Sequence, residues 1–401
     1  MHRRFFALQA VVVAVAVLAC TSSIDRRITE SIVEEAGDPG FMTVPTHPPP
    51  GAPGEIFRSE SISSIGDGMR AWRVIYHSRD LDGADVLVSG VVVAPDAPAP
   101  PGGRPVVSWG HPTTGAAIHC APSTSIDPFD LIEGLDDLVR AGYVVAATDY
   151  PGMGLPGPAA YLIGETEGNS VLDAARAARA LPGTGANEQL LLWGHSQGGQ
   201  AALFAAQDAA DYAPELRLVA AAVAAPAADL AALLRDDIGT VSGITIGSYA
   251  FAAYESVYRD RYPGLSLDSI LSPEGVRQTK VLAGLCLLSG HTELHAIAGR
   301  LLGDYVVHDP GTTEPWATML RENTPGATSI PAPLFVAQGL SDTLVHPTAT
   351  AAFVRTVCAI GTRVDSRTYP GTGHGLIALK AVPEVLDFFH AALAGTATST
   401  C

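Results

Sequence analysis

Apolar and polar positions along this chain change period several times. Two β-rich apolar runs, over residues 71–77 and 86–94, flank Asp82-Gly83, a dipeptide that favours a tight hairpin turn. A Pro/Gly-rich loop over 95–103 leads into a short buried strand over 105–109. The chain then alternates. Residues 128–140 have helical spacing, with Leu131, Ile132, Leu135 and Leu138 on one stripe. An apolar strand over 143–148, an Ala-rich helix over 171–181, a strand over 189–193, a helix over 198–209 and a strand over 216–224 follow. After a long interval the alternation resumes, with strands over 334–337 and 363–369 and helices over 348–358 and 385–393. Continuous apolar strands between helices predict an α/β fold with a doubly wound, mostly parallel sheet covered on both faces.

The interval 229–328 breaks this rhythm. It is helix-rich and carries Tyr249, Phe251, Tyr254, Tyr258 and Tyr262. It reads as an inserted helical cap that divides the core into residues 56–228 and 329–401. At about 3.6 residues per turn these rings cannot share one helix face. Some are therefore expected in the cap interior, and Tyr254 and Tyr258 are the expected lining of a substrate channel. Residues 20–55 form a Pro-rich leader, including Thr46-His47-Pro48-Pro49-Pro50-Gly51, which reads as a tether without contacts to the core.

The first residues have the make-up of an export signal over 1–19: His2-Arg3-Arg4, then an apolar run from Val11 to Ala19, too short to span a bilayer with ease. Val17-Leu18-Ala19-Cys20 resembles the lipobox of bacterial lipoproteins, which implies a lipidated Cys20 and membrane anchoring; the alternative is an ordinary cleaved signal peptide. Cys120, Cys286, Cys358 and Cys401 remain, an even number that suggests two disulfides in an oxidising compartment, with three connectivities open.

Composition narrows the partners. The 401 residues hold 24 Lys+Arg against 41 Asp+Glu, a formal net charge of −17 that repels phosphate backbones and argues against nucleic-acid binding. Lys280 and Lys380 are the only lysines, and no basic run forms a polybasic membrane patch. A hydrophobic content of 47% argues for a large core and against disorder.

The chemistry centres on Gly194-His195-Ser196-Gln197-Gly198, a Gly-x-Ser-x-Gly motif between an apolar strand and an Ala-rich helix. A strand-to-helix turn that sharp strains the serine backbone and excludes side chains two residues before and after it, hence Gly194 and Gly198. A serine hydroxyl needs a base to take its proton. In this fold the expected order is serine, acid, histidine. Asp342 follows the strand at 334–337, and His374 stands between glycines after the strand at 363–369. Two backbone N–H donors should form an oxyanion hole. Gln197, after the nucleophile, is one; the other comes from Gly110-His111-Pro112-Thr113-Thr114-Gly115, from Thr113 or Thr114. Asp149, in Asp149-Tyr150-Pro151-Gly152-Met153-Gly154, reads as a structural loop cap. His291 and His295 read as a polar helix face rather than metal ligands, and no metal or cofactor is expected.

With these pieces placed, residues 60–395 resemble the secretory lipase family of the α/β-hydrolase superfamily, the Candida antarctica lipase A type. The resemblance rests on Cys120-Ala121-Pro122-Ser123 after the oxyanion loop, Tyr150-Pro151-Gly152-Met153-Gly154, Gly194-His195-Ser196-Gln197-Gly198-Gly199 and the long cap. It implies a triad of Ser196, Asp342 and His374, an oxyanion donor at Thr114, and a bridge Cys120–Cys286, which leaves Cys358–Cys401. It also implies a hydrolase of acylglycerols or other carboxylic esters, whereas export is expected from the signal segment and the cysteines, since the lipobox and the Pro-rich leader depart from the family's yeast members. The alternatives are an exported serine aminopeptidase of the same fold, anchored by a cap acid such as Glu255, Asp260 or Asp268, and a non-catalytic surface lipoprotein.

Overall fold

The computed structural model describes residues 40–63, 65–125 and 127–401. The signal segment 1–19, Cys20 and the first part of the leader lie outside the described residues.

Nine strands form one sheet in the order β1-β2-β3-β5-β4-β6-β7-β8-β9. The first three are β1 (Ile56–Ile62), β2 (Met69–Arg79) and β3 (Asp85–Pro95). They pair antiparallel, and β3 also pairs antiparallel with β5 (Val144–Thr148). The expected hairpin joins β2 and β3, with Arg79 opposite Asp85 and Gly83 in the left-handed region. β4 (Arg104–Gly110), β6 (Ala186–His195), β7 (Arg217–Ala224), β8 (Leu334–Gly339) and β9 (Val364–Tyr369) continue the sheet in parallel. Gly90 permits the β3–β5 pairing, since a Cβ there would lie 2.3 Å from the Ala147 carbonyl oxygen.

The helices cover both faces, as parallel strands buried on both sides require. α1 (Leu135–Arg140) lies on one face, and α2 (Gly164–Ala180) and α3 (Gln197–Tyr212) lie on the other. α2 and α3 bury Val171, Leu172, Ala201 and Leu203 against Val106, Val144 and Leu192. On the opposite face α1 packs Leu138 and Val139 with Trp109 and Trp193. Between β7 and β8 the chain forms α4 (Leu230–Asp237), α5 (Val241–Val257), α6 (Pro273–Leu282), α7 (His291–Ala298) and α8 (Trp316–Glu322). These helices share a third apolar cluster built on Tyr249, Phe251, Tyr258, Leu267, Tyr305 and Trp316. α9 (Pro347–Ala359) and α10 (Ile377–Leu393) complete the two faces.

Three expectations change. The helix expected over 128–140 begins only at Leu135, because Gly134 adopts φ 87° and Pro128 precedes a run of turns. Strand β1 was not expected; its residues IFRSESI carry too few apolar positions to signal a strand. The end of the leader is not a free tether. The Gly51 N–H donates to Asp85 at 2.9 Å, Arg79 donates to the Gly51 carbonyl at 2.7 Å, and the Gly54 N–H donates to the His77 carbonyl at 2.7 Å. Hydrogen bonds to otherwise unpaired edge groups favour docking over solvation here. Among the described residues, no helix is long and apolar enough to cross a membrane.

Candidate active site

β6 ends at His195, and α3 begins at Gln197; the single residue between them is Ser196. Its backbone sits at φ 57°, ψ −117°, a conformation that costs a non-glycine residue of order 1–3 kcal/mol. Neighbouring bonds hold the strain: the Ser196 N–H donates to Ala224 at 3.0 Å, and its carbonyl accepts from Ala227 at 3.0 Å and Gln200 at 3.1 Å. The two elbow glycines are sterically required. A Cβ on Gly194 would lie 2.0 Å from the Gly198 carbonyl oxygen, and one on Gly198 would lie 1.9 Å from that of Gly110.

Ser196 Oγ lies 2.9 Å from His374 Nε2, and His374 Nδ1 lies 2.8 Å from Asp342 Oδ2. The three residues come from the ends of β6, β8 and β9, brought together by the parallel register. The loops after β8 and β9 are stitched together, since the Ser341 N–H donates to Thr372 at 2.9 Å and the Leu340 N–H to Tyr369 at 3.0 Å. Asp342 Oδ1 accepts from the Leu344 and Val345 N–H groups, each at 2.9 Å. Burial pushes the Asp342 carboxyl up, but the hydrogen bond and charge of His374 and these two N–H groups outweigh it and hold it below the usual carboxylate range. This geometry allows a base to take the serine proton while an ionised acid steadies the imidazolium.

Gln197 and Thr113 border the same cavity as Ser196. Thr114 does not: its hydroxyl turns to the Cys120 carbonyl at 2.9 Å, and its own carbonyl accepts from the Leu287 N–H of the cap at 2.7 Å. Of the two candidate oxyanion threonines, Thr113 is the one that lines the cavity with Ser196. The loop is held by His111, which donates from Nδ1 to the Pro112 carbonyl at 2.6 Å and packs its ring, tilted by 38°, on Tyr150 at 4.5 Å. Burial lowers the His111 pKa and keeps its ring neutral.

The cavity beside Ser196 has a volume of about 80 Å³ and apolar walls, with Leu230, Leu233 and Leu234 from α4, Ile246, Ala250 and Phe251 from α5, and Leu320 from α8. Tyr254 also lines it, its hydroxyl donating to Leu162 at 3.0 Å. Tyr258 does not. It is fully buried in the cap, receives a 2.7 Å bond from Asn323 and packs on Tyr254, so its expected place in the channel is corrected: its polar tip found a partner in the cap interior instead. The charged side chain on the lining is Asp237, 3.4 Å from His346; burial pushes its carboxyl up against the pull of that histidine. Glu255, Asp260 and Asp268 are not on the lining.

Asp149 has the structural place expected of it. It accepts from Ser89 at 2.6 Å and from the N–H and hydroxyl of Ser123, joining β3 to the segment that follows the loop 110–115. Two disulfides, Cys120–Cys286 and Cys358–Cys401, are formed; the first ties that segment to the cap. Two acids went unnoticed in the sequence. Glu133 lies 3.0 Å from His195, whose other nitrogen lies 3.1 Å from the His374 carbonyl. Glu167 accepts from the Gln197 side chain at 2.6 Å. A signal for Glu167 existed, because helical spacing puts it on the face of Val171, Ala174 and Ala178, all buried.

The sheet, the strained serine elbow and the cap together define an α/β-hydrolase. The chain belongs to the secretory lipase family, whose model matches residues 129–400. It is 24% identical to Lipase A of Moesziomyces aphidis, over 97% of this chain and 86% of that protein. Among solved structures it is similar to Candida antarctica lipase A in its closed state, with a TM-score of 0.74 at 21% identity, over 92% of this chain and 88% of that one. It is also similar to the rice cell wall degrading esterase LipA from Xanthomonas oryzae, with a TM-score of 0.69 at 20% identity, over 86% and 100%. The protein is accordingly a hydrolase of ester bonds.

Proposed function

We propose that the protein is an exported serine hydrolase that cleaves acylglycerols or other carboxylic esters through an acyl-enzyme, with Ser196, Asp342 and His374 as its triad. The observation that carries this reading is the continuous hydrogen-bonded chain from Asp342 through His374 to Ser196, ending at an apolar cavity. Ser196 Oγ attacks the ester carbonyl carbon as its proton passes to His374 Nε2. The Gln197 and Thr113 N–H groups bind the oxyanion that forms. The C–O bond then breaks, and His374 returns the proton to the departing alcohol. Water, deprotonated by His374, attacks the acyl-enzyme and releases the acid and Ser196. The acyl chain occupies the cavity under α4 and α5, with Tyr254 on its wall.

A fluorophosphonate probe tests this directly. It should label the wild type at Ser196 and leave Ser196→Ala unlabelled, with kcat for a p-nitrophenyl ester lowered by about 10⁴ or more. Labelling of the variant at another serine refutes the assignment.

Export and anchoring by a lipidated Cys20 belong to the same proposal. Export is supported by the apolar run ending at Ala19 and by two disulfides, which persist in oxidising compartments, and anchoring by the lipobox-like Val17-Leu18-Ala19-Cys20. Cys20→Ser should move the protein from the membrane fraction to the soluble one; unchanged fractionation removes the anchor.

A further inference from the structure

Glu167 is fully buried on α2, and its Oε1 accepts two hydrogen bonds, from Gln197 Nε2 at 2.6 Å and from the Leu162 N–H at 3.0 Å. Its second oxygen is buried without any donor. The side-chain oxygen of Gln197 is likewise buried without a donor. Two residues that already share one hydrogen bond thus each hold a lone acceptor, and one proton between them satisfies both. Without that proton the site would contain a buried carboxylate held only by an amide and a backbone N–H. No lysine, arginine or histidine among the described residues donates to it, and an uncompensated buried carboxylate takes up a proton instead. The buried phenols of Tyr150, Tyr161 and Tyr254 feel its charge, but their hydroxyls donate to or share bonds with other oxygens.

We infer that Glu167 is a protonated carboxylic acid that grips the side-chain amide of Gln197 through a paired acid–amide contact and so positions the Gln197 N–H for the oxyanion. Burial pushes the Glu167 carboxyl well above the usual carboxylate range, against the pull of Gln197 and Leu162. The inference rests on the oxyanion role proposed for Gln197. The neutral state has a catalytic reason. A negative charge joined to the oxyanion donor would oppose the charge that develops on the substrate oxygen, and in a water-poor site that opposition is weakly screened. The same acid holds the Leu162 N–H. Leu162 has φ 56° and lines the cavity, and its carbonyl accepts from Tyr254 and from Gln200. Glu167 is therefore a positioning residue that joins the nucleophile elbow to the cavity wall.

The protonation state decides what the isosteric variant does. In Glu167→Gln a carboxamide supplies an acceptor for Gln197 Nε2 and an N–H in place of the acid O–H. In Glu167→Leu both contacts are lost. With a short p-nitrophenyl ester, Glu167→Leu should lower kcat by about 10- to 100-fold while KM moves less than about threefold, and Glu167→Gln should recover most of the loss. Infrared difference spectra of wild type minus Glu167→Gln, recorded at neutral pH, should show the carbonyl stretch of a protonated carboxylic acid. A carboxylate band in its place overturns the inference, as does a Glu167→Gln variant as slow as Glu167→Leu, or a Glu167→Leu variant with wild-type kcat. If Glu167→Leu does not fold, the infrared spectrum and Glu167→Gln still decide. Fluorophosphonate labelling in the same preparations separates the two readings. Loss of labelling at Ser196 in the wild type sinks the triad, whereas the infrared band reports on Glu167 alone.

Discussion

His195 donates from Nε2 to the carbonyl oxygen of His374 at 3.1 Å, so the residue before Ser196 holds the backbone of His374. A carbonyl can only accept, which fixes Nε2 as the donor. Glu133 at 3.0 Å orients the ring from its other nitrogen. His195→Phe keeps the ring volume and removes both bonds. The loss of one positioning hydrogen bond, about 1 kcal/mol, should lower kcat roughly 5- to 10-fold, with a smaller loss in Glu133→Gln. Steady-state kinetics with a short ester checks this; unchanged kcat in both variants would show that the His374 loop is held by its other contacts alone.

Asp342→Asn should lower kcat by about 10⁴, since an amide favours the wrong imidazole tautomer. The same residue should mark the stability of the protein in acid. Its folded-state pKa lies below the ordinary carboxylate value, so its ionised form stabilises the fold above that ordinary value. That contribution is lost as pH falls through the lowered folded pKa. Urea unfolding should therefore find wild type more stable than Asp342→Asn at neutral pH and the gap closing as the pH falls below the ordinary carboxylate range. A gap that widens in acid would reverse the sign of the shift.

Gly247 lines the cavity from α5, and a Cβ there would meet only side-chain ends: Ile238 at 3.0 Å, Phe251 at 3.4 Å and Leu234 at 3.7 Å. Those groups can yield, so Gly247→Leu should fold and fill the space. Activity on p-nitrophenyl octanoate and longer esters should fall about tenfold or more, with activity on the acetate changed less than about threefold. Equal losses on both would place the acyl chain elsewhere.

The Cys120–Cys286 bridge closes a span of 166 residues between the segment after the loop 110–115 and the cap. Replacing both cysteines with serine should lower stability by about 2–5 kcal/mol. Calorimetry would read this as a clear drop in Tm. An unchanged Tm would mean that the cap is held by packing alone.

Much of the active site was legible because its constraints are local. Gly194 and Gly198 follow from backbone crowding at the elbow, and the placement of Asp342 and His374 follows from the ends of apolar strands. The cap was legible as an interruption of alternation. What was not legible depended on which groups meet across long separations. Tyr254 and Tyr258 stand one helical turn apart in sequence, yet one borders the cavity and the other is locked to Asn323. Thr113 and Thr114 are adjacent, and only the pull of Cys120 and Leu287 on Thr114 assigns the cavity to Thr113.

Sequence alone therefore determined the α/β alternation, the strained serine turn and the order of serine, acid and histidine, since periodicity and steric exclusion act within a few residues. Tertiary structure decided the docking of residues 51–54 on the sheet edge, the state of Glu167 and the service of Glu133 to His195. Those outcomes turn on burial and on hydrogen-bond partners 23 to 62 residues away. A buried polar group takes whatever partner the packing brings, and no local pattern records which one that will be.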